Sequence, residues 1–154
     1  MASAKKQERD AYTDIIVLFS VLYSIRLKRI HDGGFQASGG KFISAKKGTD
    51  FIGWHKITGR SVVVEAKKDS DSLPYFSKSR RKELRQSQIA WLNECSEENG
   101  IPVVVFEREQ GGFFLWLWPI EDSAPADMLL PLEPKVGFKA DLEKIVLDRK
   151  KGIK

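Results

Sequence analysis

The chain holds a single cysteine, Cys95, among its 154 residues. That excludes an intrachain disulfide framework and a multi-cysteine zinc site. Its two histidines, His31 and His55, stand apart from each other. No uninterrupted apolar run is long enough to span a bilayer, so no membrane attachment is expected. The opening MASAKKQERD has no apolar core of the kind a secretory signal needs, and a cytoplasmic setting is the expectation. No glycine-rich phosphate loop is present, and Gly33-Gly34 and Gly39-Gly40 read as turn signals. There are no internal repeats.

What is present is ordinary in amount and distinctive in arrangement. A composition 42% hydrophobic and 31% charged supports one folded domain over 1–154 with a real core. A net charge of +5 favours an anionic partner, of which nucleic acid is the commonest.

Residues 7–30 read as a long amphipathic helix, because Tyr12, Ile15, Phe19 and Leu22 recur at spacings of three and four. Its end is placed at HDGGF, where Gly33 and Gly34 accept left-handed geometry. FQASGGKFISAKKG, 35–48, reads as a short strand or loop. Two strands are expected over 50–56 and 61–67, joined by a hairpin turn at Thr58-Gly59 or by a longer loop. The run Val62-Val63-Val64 marks the second as buried on both faces.

Residues 69–82 are polar and basic and read as a loop. A second helix is expected over 83–98, ending at Asn99-Gly100. IPVVVFE and FFLWLWPI then read as a hairpin-paired strand couple around Gln110-Gly111-Gly112. Pro125, Pro131 and Pro134 make 123–137 irregular, and a short helix is expected over 140–149 before a basic tail. Helix, strands, helix, strands, helix predicts an α/β domain with a mixed central sheet flanked by helices.

The chemistry concentrates in GTDFIGWHKITGRSVVVEAKK, 48–68. Side chains alternate along a strand, so Glu65 and Lys67 share one side. If Asp50 begins the neighbouring strand, its carboxylate approaches Glu65. Two converging carboxylates repel unless a cation lies between them, and hard oxygen donors select Mg²⁺ or Mn²⁺. Lys67 would add a fixed positive charge for a phosphate or an attacking water. Taken alone, Glu-x-Lys on a strand is most often a solvated edge pair.

Acid, turn, β-branched strand and Glu-x-Lys together resemble the PD-(D/E)XK nuclease superfamily, through Asp50, Glu65 and Lys67. The proline usually written before the first acid is Thr49 here. The resemblance implies a restriction-endonuclease-like core over about 7–120, with a C-terminal extension over about 121–154. It also implies metal-dependent phosphodiester hydrolysis at a site built from those three residues. Metal-dependent members often carry another acid on the first helix. Glu8 falls on the stripe of Tyr12, Ile15, Phe19 and Leu22, where an acid is unusual unless paired or metal-bound. The alternative is an exposed Glu8 on a frayed first turn. Asp10 and Asp14 fall away from the stripe.

Gln88 sits mid-stripe on the second helix, among Leu84, Trp91 and Cys95. It reads either as a group reaching the active-site edge to orient water or phosphate, or as a satisfied structural amide. Cys95 reads as core. No motif of a histidine-based nuclease is present.

Within the superfamily the chain looks most like Holliday junction resolvases of the RecU and archaeal types. DFIGWHKITGRSVVVEAKK, the Phe-Ser loop, the Gln-bearing helix and GIPVVVF carry that likeness, over roughly 7–120. RecU-type enzymes insert a long stalk ahead of the first catalytic acid, and only FQASGGKFISAKKG stands there in this chain. The likeness implies a homodimer making paired, symmetric nicks in a four-way junction, since two related strands must be cut.

Lys46 and Lys47, Lys68, and the group Lys78, Arg80, Arg81, Lys82 and Arg85 are the expected DNA-binding residues, making phosphate contacts that position without reading sequence. Each group could equally be solvated surface, and that reading is preferred for the tail residues Arg149, Lys150 and Lys151. Tyr75 and Phe76 would either stack on exposed bases or anchor the loop. Trp116 and Trp118 fit core burial or a dimer interface better than DNA. Two further functions compete: a restriction-like or repair nuclease on linear or damaged DNA, and a branched-DNA-binding protein of the same fold without chemistry.

Overall fold

The computed structural model describes residues 4–30, 35–36, 42–43, 49–68, 75–108, 111–130 and 142–150. Helix α1 (Ala4–Tyr23) presents the expected stripe to the core. Ile15, Leu18, Phe19 and Tyr23 are buried, with Tyr12 and Leu22 packed against them. The helix does not continue to residue 30. Ser24 takes a left-handed φ of 55°, which breaks the i to i−4 ladder. The chain continues as strand β1 (Ile25–Arg29), burying Ile25 and Leu27 and exposing Arg26 and Lys28. That alternation is the period of a strand.

Strands β2 (Phe35–Gln36) and β3 (Phe42–Ile43) pair antiparallel as a separate two-stranded sheet. Strands β4 (Phe51–His55) and β5 (Ser61–Lys68) form the expected antiparallel pair. Their connection is the longer alternative. The His55 amide donates to the Arg60 carbonyl at 2.9 Å and the Gly59 amide to His55 at 2.8 Å. Gly59 supplies a φ of 75°, which glycine tolerates at little cost.

The stretch read as loop over 69–82 contains a short helix, α2 (Lys78–Lys82), begun by Ser77, whose side chain accepts from the Arg80 amide at 3.2 Å. Helix α3 (Gln86–Glu97) follows, starting three residues later than expected. The crossover returns the chain in strand β6 (Ile101–Glu107), parallel to β5, and β7 (Phe113–Leu117) pairs antiparallel with β6. A strand the proline-rich stretch had hidden, β8 (Met128–Leu130), adds the last edge. Helix α4 (Leu142–Lys150) closes the described chain. The main sheet runs β1-β4-β5-β6-β7-β8. It is the mixed sheet flanked by helices that the element order predicts.

Strand β6 is buried at Ile101 through Phe106, so both sheet faces must be covered. On one face Val62, Val64, Val103 and Val105 pack with α1 and α4. On the other, Val63, Val104 and Phe106 pack with Leu92 and Cys95 of α3 and with Phe76 and Trp116. Trp116 and Trp118 are therefore core within the chain. Burial pushes the Cys95 thiol up, as suits a core cysteine rather than a nucleophile. Among the described residues, no helix is long and apolar enough to cross a membrane.

Gly53 lets β1 and β4 approach. A Cβ at this position would overlap the Arg26 carbonyl and crowd Leu27 Cα. Backbone cannot yield as a side-chain tip does. Gly53→Ala is expected to destabilise by about 2–3 kcal/mol, a fall of roughly 5–10 °C in melting temperature for a domain of this size. Thermal denaturation followed by circular dichroism checks it. An unchanged melting temperature would show that the two strands can separate freely.

Candidate active site

Pairing places the two acids together. Phe51 stands opposite Val64, so one step along the same register sets Asp50 opposite Glu65. Both are buried, at 4% and 1% exposure. Asp50 is anchored from two directions. Its Oδ2 accepts the Ala66 amide at 2.9 Å, and its carbonyl accepts the Ile30 amide at 2.7 Å. The preceding Thr49 is fully buried, and its hydroxyl donates to the Phe51 carbonyl at 3.1 Å. Thr49 thus steadies the bend that turns Asp50 toward β5.

Glu65 lies on the sheet face of Val63, and Lys67 follows on that same side. Lys67 Nζ is 3.6 Å from Glu65 Oε1, with the lysine side chain 21% exposed. The acid is enclosed and the ammonium reaches the rim. An anion arriving at that rim meets the lysine first, with two carboxylates behind it. Together Asp50 and Glu65 offer an all-oxygen donor set. This fits Mg²⁺, which is commonly held by one or two carboxylates, with waters and substrate phosphates completing the shell. Mn²⁺ suits the same donors. Among the described residues no group of three or more His, Cys, Asp and Glu comes together. Glu8 belongs to α1, but its side chain lies outside the described residues, as do Lys46 and Lys47.

Gln88 is buried, and its amide is engaged locally: Oε1 accepts the Arg85 amide at 2.8 Å. This is the returning half of a capping box, which satisfies an orphan donor at the start of α3. The structural alternative accounts for its burial.

Arg80 departs from the expected DNA surface. It is 1% exposed, with its guanidinium carbon 5.1 to 5.4 Å from the ring centroids of Trp116, Phe106 and Phe114. Its Nη1 donates to the Tyr75 carbonyl at 2.6 Å. Aromatic faces and a carbonyl satisfy this cation inside the fold. Arg81 is half-buried and engaged within the chain at the surface, binding exposed Asp122 through Nε at 2.7 Å and the Ile120 carbonyl through Nη2. Lys68, Lys78, Lys82 and Arg85 are exposed. Phe76 is fully buried and anchors its segment, whereas Tyr75 is 37% exposed and bridges to Pro125. The burial of Arg80 has no signal in the sequence: it is one of five residues between Ser77 and Glu83, too short a stretch for periodicity to say which points inward.

No family model matches the chain, and no curated protein matches it. Among solved structures it is similar to Hjc, a Holliday junction resolvase from the archaeal hyperthermophile Archaeoglobus fulgidus. The identity is 13%, over 71% of this chain and 73% of that one, with a TM-score of 0.39.

Proposed function

We propose that the chain is a Mg²⁺-dependent endonuclease, with Mn²⁺ able to substitute, that hydrolyses phosphodiesters in branched DNA, a four-way junction above all. The observation that carries this reading is the pairing of buried Asp50 and Glu65 across β4 and β5, with Lys67 beside Glu65 at the rim. Asp50 and Glu65 would hold the metal. When bound there, it would polarise the phosphodiester and lower the pKa of a water. Lys67 is placed to meet the incoming phosphate and offset charge developing on it. Asp50 keeps its aim because the Ala66 amide and the Thr49 turn fix it. The net charge of +5 supports a polyanionic substrate. A homodimer with one site per subunit would deliver two related nicks.

The test uses a labelled synthetic four-way junction and a linear duplex of the same arm sequence, with Mg²⁺ or with chelator. Paired symmetric nicks in the junction alone, and only with metal, are the expected result. Equal cutting of both would keep the nuclease and remove the junction preference. Tight junction binding with no cutting would leave a DNA-binding protein.

A further inference from the structure

We propose that the sheet face formed by Arg26, Lys28, Ile52 and Trp54 docks a DNA strand at a branch point, with Trp54 stacking on an unpaired base and Arg26 and Lys28 meeting the flanking phosphates. The location beside the catalytic residues rests on the nuclease reading above; the chemistry of the face does not.

Register brings these four side chains together. Arg26 is opposite Trp54 and Lys28 opposite Ile52. Both pairs point away from Ile25, Leu27 and Phe51, which pack with α1. Helix α3 roofs the same sheet face farther along, over Val63 and Val104. Toward β4 and β1 that roof ends. Trp54 remains 39% exposed and Ile52 42% exposed, although large apolar side chains at the middle of paired strands are usually covered.

The face is cationic as well as aromatic. Among the described residues, the side chains that β1 and β4 turn to it are two cations, an indole and an isoleucine, with no acid. Arg26 Cζ and Lys28 Nζ lie 5.8 and 6.0 Å from the Trp54 ring centroid, at the outer limit of a cation–π contact. Both cations therefore flank the indole loosely and are available to phosphates. A flat π surface between positive charges is the arrangement that holds single strands: stacking accepts any base, and the charges track the backbone. Paired duplex offers no base face to Trp54, so stacking there selects substrates with unpaired positions.

The face also adjoins the acids. Asp50, Ile52 and Trp54 alternate along one side of the chain, so Trp54 stands four residues, roughly 13 Å, from Asp50. Ile52 is opposite Val63, two residues before Glu65. A DNA strand lying along this side would run from the indole toward the carboxylates. A second copy of the chain is the less suitable occupant, since a two-fold contact through this face would bring two copies of the same cationic patch together.

Fluorescence anisotropy in EDTA, with a labelled fork, a single strand and a blunt duplex, tests the proposal on the full chain. Trp54→Ala is expected to weaken fork and single-strand binding about 10-fold or more while leaving duplex binding within about two-fold. Trp54→Phe should recover most of the loss. Arg26→Ala combined with Lys28→Ala should weaken all three and reduce the salt slope of binding by about 1–2. These residues are exposed, and circular dichroism checks that the variants fold. Variants that bind every DNA as the native chain does would overturn the proposal. So would a native dimer that Trp54→Ala splits in sedimentation without the fork-selective loss. Native protein that binds the fork through Trp54 and never cuts would keep this surface and remove the nuclease. Native protein that cuts while both variants bind normally would do the reverse.

Discussion

Asp50→Asn and Glu65→Gln are each expected to hold a four-way junction and leave it uncut. Cleavage should fall by about 10³-fold or more, as expected when a ligand is lost from the metal that would offset the developing charge. Junction affinity should equal or exceed the native value, because a buried negative charge facing phosphate is gone. Folding should survive: asparagine keeps an oxygen to accept the Ala66 amide that Asp50 now accepts at 2.9 Å. In chelator both variants should melt at or above the native temperature, since the two carboxylates that register sets opposite each other no longer repel. Mg²⁺ is expected to raise the melting temperature of the native chain by binding the folded state, and that rise should disappear in both variants. Lys67→Ala should impair cutting while keeping most of that rise, because lysine is not a metal ligand. Cutting at the native rate by Asp50→Asn would remove this site from the reaction.

Arg80→Ala is expected to act on stability instead of DNA. The variant removes a cation packed on three aromatic rings and leaves the Tyr75 carbonyl without its 2.6 Å donor. Lost packing and an unsatisfied acceptor together come to about 3 kcal/mol, or roughly 6–12 °C in melting temperature. Below its transition the variant should bind junction DNA with native affinity. Arg85→Ala is the contrast, since Arg85 is exposed: it should melt near the native temperature and bind DNA more weakly at low salt. If Arg80→Ala melts normally and loses DNA binding, the cation reaches solvent and its enclosure is wrong.

Much of the fold is legible in single stretches. Strand β6 matches IPVVVFE end to end, because six consecutive buried positions allow only apolar residues. The β4–β5 pair is legible through Val62-Val63-Val64 and a glycine-bearing turn. The stripe of Tyr12, Ile15, Phe19 and Leu22 marks α1, yet its end is not legible. Ile25 and Leu27 extend a helical pattern as readily as they begin a strand, and five residues cannot separate the two periods. Pairing with β4 decides between them. Strand β8 has the same difficulty: three residues beside Pro125 become a strand only because β7 presents an edge.

The candidate site divides along the same line. Sequence alone determined that Glu65 and Lys67 share one side of a strand, because the two-residue period of a strand is local geometry. It also determined that the chain is basic enough to favour a polyanion, whereas the approach of Asp50 to Glu65 stayed conditional on strand pairing. Tertiary structure decided which charges are inside and which outside. Arg80 and exposed Lys82 are two residues apart in one basic run, and only the placement of Phe106, Phe114 and Trp116 encloses the first. Gln88 became a cap because the chain turns at Arg85. Arg26, Lys28 and Trp54 became one face because β1 pairs with β4. Burial and adjacency are sums over distant parts of the chain, and no local period carries them.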